Sequence, residues 1–384
     1  MKTRTETARQ AAKGLRDFAD KIDSTHVMLG FDGFVDSIIS VVDKRESVEA
    51  YTALPTIQSF GERVIDAAGK SANFELVTTL RKLGGNGPIM ANAMSRAGLA
   101  VTYVGAVGYP TIDPVFREMA ERAELHPITD PGTTDALEFD DGKLMIGKYE
   151  VLNKMGVQTL KNAVSEDKFL EIVRRSSLVC LANWTMCAKV EEIWQYMLEE
   201  VYAKCDGTVA GCRRKIFIDL ADPAKRPEED LLGALKLCKR LNEVADVTLG
   251  LNLNESLQVS KVLGVDVRGD GNDSVEARAV AVREAAGLYG VVIHPREGAG
   301  GAVLGGDGQL QSGWFDGPFV QEPKLSTGAG DNFNAGYCLG LLAGLSLDAC
   351  LCCGTATSGF YVRNAKSPTL MDLSNFCDHL PEPA

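Results

Sequence analysis

The residues best suited to chemistry lie near the C-terminal end, where Gly328, Ala329 and Gly330 precede Asp331 at the start of an apolar segment. Small residues at a helix start let an anion approach the unpaired backbone N–H groups there, at the positive end of the helix dipole. A carboxylate beside such a turn can accept a proton from an attacking hydroxyl while the turn holds a phosphoryl group. The segment therefore predicts phosphoryl transfer with Asp331 as general base, and the structural alternative is a helix cap with Asp331 as the N-cap residue.

Two other segments offer polar groups to an acceptor. Gly85 and Asn86 belong to a second glycine turn that opens a helix, and the Asn86 amide can donate to and accept from a hydroxyl. Asp32 and Asp36 follow the first predicted strand, at the carboxyl edge where open α/β sheets bind ligands. Two acids and an amide favour the vicinal hydroxyls of a neutral sugar and repel a phosphorylated one.

Asn252 and Glu255 form a third group. They lie three residues apart on one helical face and present hard oxygen atoms that suit the water shell of Mg²⁺. The same spacing fits a capping box, with Asn252 as the N-cap residue and Glu255 three positions later. The two interpretations are compatible, and both remain open.

These turns need a scaffold that brings them to one edge. Runs of β-branched residues alternate with amphipathic helical segments, which predicts βαβ units and a parallel sheet covered on both faces, a doubly wound α/β fold. The predicted strands are His26–Phe31, Val101–Val107, Ser177–Ala182, Lys215–Leu220, Asp246–Leu249 and Gly290–His294. The run from Gly298 to Gly301 is interpreted as a turn before a short strand at Ala302–Leu304.

Two segments break this alternation. Residues 33–52 continue with a β-type pattern after the first strand, and residues 133–151 contain an Asp141-Gly142 turn typical of a hairpin. We expect them to form a small separate sheet that acts as a lid, since phosphoryl transfer to a sugar requires the exclusion of water. The alternative is an extension at the edge of the main sheet.

Composition narrows the function classes. The chain has 384 residues, 45% hydrophobic and 24% charged, which is ordinary for a globular enzyme. Its net charge of −12 argues against nucleic acid or an anionic membrane as partner. The charged N-terminus does not resemble a signal peptide and no long apolar run follows, so we expect a cytoplasmic protein.

The order of these segments resembles the ribokinase-like (PfkB) carbohydrate kinase family over almost the whole chain. The shared features are an acid after the first strand, a Gly-Gly turn, Asn-x-x-Glu, and Gly-Ala-Gly-Asp followed by a small-residue helix. The resemblance implies one domain over residues 1–384, with a mostly parallel sheet flanked by helices and a β lid. It places the nucleotide-binding part at about residues 245–370, and it implies transfer of the γ-phosphate of ATP to an alcohol with Mg²⁺.

The resemblance also implies roles for the site residues. The general base would be Asp331, and the backbone of Gly328, Ala329 and Gly330 would form the anion hole. The implied groups around Mg²⁺ are Asn252 and Glu255, and the implied acceptor contacts are Gly85, Asn86 and Asp36. Because the turn from Gly30 to Asp36 is one residue longer than is usual, Asp32 is an equal candidate for the family's acid.

Several positions depart from the family pattern. Leu325-Ser326-Thr327 stands where the family has Asp-Thr-Thr, which keeps Thr327 as a nucleotide-binding candidate but puts activation by a monovalent cation in doubt. Ile89 replaces an Asn that often contacts the sugar. Residues 294–298 replace the Thr-x-Gly nucleotide loop, and in that segment Arg296 is a candidate for phosphate binding or for a surface salt bridge. His294 is interpreted as structural.

Other functions compete with a sugar kinase as interpretations of these segments. A nucleoside kinase or a catalytically silent sugar- or nucleotide-binding protein of the same fold remains possible from sequence. A nicotinamide dehydrogenase is disfavoured because no Gly-x-Gly-x-x-Gly follows a strand and opens a helix. The expected partner is a small sugar-like substrate, and the lid is a candidate surface for a homodimer.

Overall fold

A computed structural model describes residues 2–383. The strands β1 to β16 are, in order, His26–Phe31, Phe34–Arg45, Tyr51–Ala53, Leu76–Gly84, Ala100–Gly105, Ala123–Pro127, Gly132–Phe139, Gly142–Lys148, Leu178–Ala182, Thr208–Val209, Cys212–Arg213, Lys215–Asp219, Asp246–Leu251, Gly290–Ile293, Gly298–Leu304 and Leu310–Asp316. The helices α1 to α13 are, in order, Arg4–Phe18, Ile57–Asp66, Asn86–Ala97, Arg117–Ala120, Val157–Ala163, Glu166–Arg175, Val190–Tyr196, Glu228–Val244, Leu253–Leu263, Asn272–Ala286, Ala329–Leu342, Leu347–Asn364 and Leu370–Asp378.

The main sheet has nine strands in the order β16-β15-β14-β13-β12-β9-β1-β5-β6. All neighbours from β14 to β6 run parallel, whereas β15 and β16 add antiparallel strands at one edge. Every strand predicted from the alternating pattern lies in this sheet. The predicted α/β class with a mostly parallel sheet is therefore confirmed.

Helices cover both faces of the main sheet, which explains why its central strands are apolar on both sides. Along β1, Met28 packs in the core layer that contains Trp184 and Phe169. Its neighbour Leu29 packs in the opposite layer, with Tyr337. Alternate side chains of one strand thus enter two separate cores, and the sheet holds its carboxyl edge rigidly between them.

A second sheet contains the segments predicted for the lid. Strand β2 lies between β7 and β4, its last residues also pair with β3, and β8 pairs with β7. The predicted hairpin is present, with Phe139 and Gly142 as the last paired residues. Strand β4 was not expected here: it has few β-branched residues and reaches this sheet only through its pairing with β2.

The interpretation of Gly298–Gly301 as a turn is wrong, since these residues form the first half of β15. A Cβ atom on Gly298 would lie 2.6 Å from the Trp314 ring, and one on Gly300 would lie 3.0 Å from Val275. The glycines are therefore required by close packing of β15 against its neighbours, and not by a turn. None of the helices in the part of the chain that the structure describes is long and apolar enough to cross a membrane.

Leu249 on β13 is fully buried, whereas Leu257 on α9 is 47% exposed. We expect Leu249→Ala to lower the free energy of unfolding by about 2–5 kcal/mol, because it leaves a cavity in the core. The control Leu257→Ala should change it by less than about 0.5 kcal/mol. Denaturant unfolding of both variants checks this, and equal effects would contradict the assigned core.

Candidate active site

The anion-binding turn predicted near the C-terminal end forms the start of α11. Gly328 is the N-cap residue and has φ +89°, a conformation that favours glycine. A Cβ atom there would lie 3.1 Å from the Tyr361 hydroxyl, which donates to the Thr327 carbonyl at 2.9 Å. Asp331 is the third residue of α11, in its first turn, so the alternative in which Asp331 is the N-cap residue is wrong.

Two helix starts meet at Asp331. Helix α3 begins at Asn86 after Gly85, whose φ of +97° also requires glycine. The Asn86 side-chain amide donates to Asp331 Oδ1 at 3.0 Å across 245 positions of sequence. The two glycine turns that the sequence singled out are thus joined by a direct hydrogen bond.

The Asp331 carboxyl is 7% exposed. Burial raises its pKa well above the ordinary value, and the charges of Asp219 and Asp32 raise it further, whereas the Asn86 hydrogen bond opposes the shift. A carboxylate with a raised pKa is a stronger base than an exposed one, which suits proton abstraction near neutral pH.

The two acids after β1 differ in their surroundings. The Asp32 side chain is fully buried and accepts hydrogen bonds from backbone and side-chain donors of the protein. Asp36, on β2, is 7% exposed and lies against Gly84, where a Cβ atom would come within 2.5 Å of its carboxyl carbon. Burial raises the pKa of Asp36, and a hydrogen bond from Thr134 opposes that shift.

Asn252 and Glu255 form the capping box of α9. Asn252 Oδ1 accepts from the Glu255 backbone N–H at 2.9 Å, and Glu255 Oε2 accepts from the Asn252 N–H at 2.8 Å. Burial and then the charge of Asp219 raise the pKa of Glu255 to about 9. The capping interpretation is confirmed, and the contribution of Asp219 to the raised pKa places a second carboxylate near Glu255.

Sequence reasoning missed Asp219, at the end of β12, and Asn334, on α11. Asn334 Nδ2 donates to Asp219 Oδ2 at 2.7 Å, and the Ala221 N–H donates to Asp219 Oδ1 at 2.7 Å. The charge of Asp219 acts on both Asp331 and Glu255. Its position at the carboxyl end of a predicted strand was the available signal.

A cavity of about 570 Å³ opens beside the start of α11. Its wall includes the Ala329 and Gly330 backbone and the side chain of Asn252. The exposed Arg296 side chain lies over the Phe319 ring, with its guanidinium carbon 5.4 Å from the ring centroid. Of the predicted nucleotide-binding residues, only Thr327 and Glu255 are absent from the lining of this cavity.

His294 also lines the cavity and stacks on Phe333, with ring centroids 4.5 Å apart. Its ring lies close under Gly330, where a Cβ atom would be 3.3 Å from its Cε1 atom. Burial lowers the pKa of His294 to about 4, so the ring is neutral at physiological pH. In this structure His294 therefore supports the start of α11 as a neutral aromatic group.

The fold is that of the ribokinase-like carbohydrate kinases. One similar structure is a carbohydrate kinase from Agrobacterium tumefaciens, with a TM-score of 0.62 and 17% sequence identity over 94% of this chain and 98% of that one. Another is Arabidopsis thaliana ribokinase complexed with ribose and ATP, with a TM-score of 0.62 and 16% identity over 92% of this chain and 98% of that one. A third is adenosine kinase from Sinorhizobium meliloti, with a TM-score of 0.60 and 15% identity over 93% of this chain and 99% of that one. At these identities the likeness shows the fold alone.

Sequence comparison gives a narrower assignment. A ketohexokinase from Haloferax volcanii is 28% identical over 380 residues, which cover 98% of this chain and 97% of that protein. The family model for prokaryotic ketohexokinase (Khk) matches residues 3–380. The chain therefore belongs to the prokaryotic ketohexokinase family and is a phosphotransferase that acts on a sugar hydroxyl.

The lowered pKa of His294 makes a pH-dependent contribution to stability. In the unfolded chain a histidine titrates near pH 6.5, about the usual value, and in the fold His294 titrates near pH 4. Its contribution is therefore present above pH 6.5 and is lost as the pH falls towards 4. We expect His294→Phe, which keeps a ring on Phe333, to lose less stability than the wild type over this range.

Thermal unfolding at several pH values between 7 and 4 measures the difference. The control His379→Phe removes an exposed histidine at the end of α13. An equal acid sensitivity of the wild type and His294→Phe would show that His294 does not remain neutral in the fold.

Proposed function

We propose that this protein transfers the γ-phosphate of ATP to a hydroxyl of a ketohexose, with Asp331 as the general base. The observation that carries the proposal is the hydrogen bond between Asn86 and Asp331, 3.0 Å long. It places one carboxylate between the helix start proposed for the acceptor and the helix start proposed for the phosphate. A general base must lie within hydrogen-bond reach of the attacking hydroxyl. That hydroxyl must in turn lie next to the phosphoryl group that it attacks.

The reaction then follows from the positions of these groups. The acceptor hydroxyl would lie against Asp331, which takes its proton as the oxygen attacks the γ-phosphorus in line. The bond from that phosphorus to the β–γ bridging oxygen breaks, and ADP leaves with the bonding electron pair. The N–H groups of Gly328 and Gly330, at the start of α11, would stabilise the negative charge on the transferred group. The Ala329 N–H donates to the Ser326 carbonyl at 3.1 Å and holds the turn in shape. Helices α3 and α11 both pack in the core layer that contains Leu29 and Tyr337, which keeps these groups in place, so little reorganisation is needed during the reaction.

The residues around the cavity fit a nucleotide with its cation. The cavity volume of about 570 Å³ lies within the range of small-molecule sites. Repulsion among Asp219, Glu255 and Asp331 raises the pKa of each of the latter two, and a nearby cation would relieve it. Mg²⁺ on the ATP phosphates would supply that charge, and Asn252 and Glu255 would hold its waters.

The acceptor side fits a neutral sugar. Asp36 presents a buried carboxylate beside the Gly84-Gly85 turn, and hydroxyl groups are natural donors to it. A phosphorylated sugar would bring a second negative charge to the same carboxylate. Ketohexose is the acceptor class named for the family that the chain matches, and the Haloferax relative is named as a ketohexokinase.

The lid supports a further proposal, a homodimer. Pairing places Leu80, Ile38, Ala136 and Met145 in one row across four strands, and the end residues Leu80 and Met145 are 55% and 53% exposed. The opposite face packs against Phe60 of α2. Since one face is covered and the other exposes Leu80 and Met145 at the two ends of the row, a second copy of the chain is a suitable cover.

Asp331→Asn keeps the shape of the side chain but removes its basicity. We expect kcat to fall by about 10³-fold or more, with the affinity for Mg-ATP nearly unchanged. Steady-state kinetics and calorimetric nucleotide binding measure the two effects. The control Asp20→Asn is at an exposed position and should retain full turnover; retained turnover in Asp331→Asn would remove Asp331 from the mechanism.

The acceptor class is tested by ADP release with Mg-ATP across neutral ketohexoses, aldopentoses, hexose phosphates and nucleosides. We expect a ketohexose to give the highest kcat/KM and the hexose phosphates to be poor acceptors. Preference for a nucleoside would favour a nucleoside kinase of this fold. Nucleotide binding without turnover on any acceptor would favour a binding protein.

Leu80→Asp places a charge in the exposed apolar row of the lid. We expect it to convert a dimeric wild type into a monomer, because a carboxylate would be desolvated at the interface. Light scattering coupled to size-exclusion chromatography measures the mass. The control Val48→Asp alters a 94% exposed residue outside the row; a monomeric wild type would contradict the proposal.

A further inference from the structure

The Asp32 carboxylate has no exposed surface and is surrounded by donors from the protein. Its Oδ2 accepts from the Asn86 N–H at 2.9 Å and from Asn183 Nδ2 at 2.8 Å. Its Oδ1 accepts from the Gly87 N–H at 2.9 Å. Asp32 therefore binds the first two N–H groups of α3, where unpaired donors and the positive end of the helix dipole favour a carboxylate.

The residues around Asp32 are themselves held firmly. The Tyr103 hydroxyl, fully buried, donates to the Asp32 carbonyl oxygen. Asn183 has φ +59° and accepts from the Met186 N–H at 3.2 Å through its Oδ1. A Cβ atom on Gly87 would lie 2.6 Å from Asp32 Oδ1 and 2.5 Å from the Tyr103 oxygen, so α3 approaches Asp32 as closely as glycine permits.

These contacts distinguish Asp32 from Asp36. Both oxygens of Asp32 are engaged by donors of the protein, and a sugar hydroxyl would have to displace one of them at the cost of an unpaired buried N–H group. The Asp36 carboxylate has the Thr134 side chain and the charges of Lys82 and Lys143 near it. Unlike Asp32, it is not held by backbone N–H groups of the described residues, which leaves acceptor capacity for a hydroxyl.

We propose that Asp32 is a positioning residue that fixes the first turn of α3, so that the Asn86 amide meets Asp331, and that Asp32 does not contact the sugar. This inference rests on the proposed role of Asp331 as base. It assigns different roles to two acids that are equivalent candidates from sequence. It also explains the extra residue between Gly30 and Asp36, since the longer turn provides both carboxylates.

Asp32 also acts on Asp331 through its charge. The carboxylates that face Asp331 are Asp219 from β12, Asp32 from β1 and Glu255 from α9, and the Asn86 amide is the neutral donor among them. Removal of the Asp32 charge should therefore make Asp331 easier to ionise. Because this effect follows from the position of the charge alone, the separate changes in kcat and sugar KM distinguish a positioning role from a sugar contact.

Asp32→Asn and Asp36→Asn are the informative pair of variants. We expect Asp32→Asn to lower kcat by about tenfold to a hundredfold, because the Asn86–Asp331 contact is displaced. Its sugar KM should stay within about threefold of the wild type, and the acidic limb of its kcat profile should move to lower pH. Asp36→Asn should raise the sugar KM by about tenfold or more and leave the acidic limb of the pH profile of kcat at the wild-type pH.

An increased sugar KM in Asp32→Asn, with kcat and the acidic limb unchanged, would overturn the inference and make Asp32 a sugar contact. If Asp32→Asn does not fold, Tyr103→Phe decides, since it loses the bond to the Asp32 carbonyl and keeps the carboxylate. Lower kcat with unchanged sugar KM supports the inference, and any other result in that variant overturns it.

Asp331→Asn, measured in parallel, separates the two proposals. If Asp331→Asn loses turnover and Asp32→Asn changes only the sugar KM, only the positioning role of Asp32 is rejected. Retained turnover in Asp331→Asn rejects the proposed function itself.

Discussion

The structure depends on the burial of negative charge at one edge of the main sheet. Asp32, Asp219, Glu255 and Asp331 are each at most 8% exposed, and burial is the largest cause of the raised pKa of every one of them. Such a cluster is costly unless donors or cations compensate it. The fold provides part of this compensation through the starts of α3 and α9 and the amides of Asn86 and Asn334.

This arrangement links the scaffold to the chemistry. Parallel strands end at one edge, and the helices that follow begin there, so carboxylates and helix N-termini are brought together by the topology itself. The two core layers on either side of the sheet keep these ends in register. A raised pKa at Asp331 is then a consequence of where the strands end, and it gives the proposed base a strength that suits proton transfer near neutral pH.

Much of the fold followed from the sequence, because strands buried on both faces are short apolar runs between amphipathic helices. Strand β4 could not be predicted, since its pattern is weak and its pairing with β2 is a tertiary contact. The glycines from Gly298 were misinterpreted because packing against Trp314 leaves no local signal in the sequence. Local patterns therefore predicted the parallel core better than the edge strands.

Prediction of the candidate site was limited in the same way, because contacts between distant residues leave no local pattern in the sequence. Asp331 and Asn86 stood out because glycines precede each of them, but their hydrogen bond joins residues far apart in sequence. Asp219 lacks a flanking motif, and its effect on Glu255 and Asp331 is electrostatic. The choice between Asp32 and Asp36 also required the hydrogen-bond partners, because residue type and spacing are nearly the same for both.

The central claim is that Asp331 accepts the proton of the attacking hydroxyl. A crystal structure with a ketohexose and a non-hydrolysable ATP analogue tests it most directly. The account predicts one sugar hydroxyl within about 2.6–3.2 Å of an Asp331 carboxylate oxygen and in line with the γ-phosphorus. A bound sugar whose reacting hydroxyl contacts another base, with Asp331 bonded only to the protein, would contradict the account.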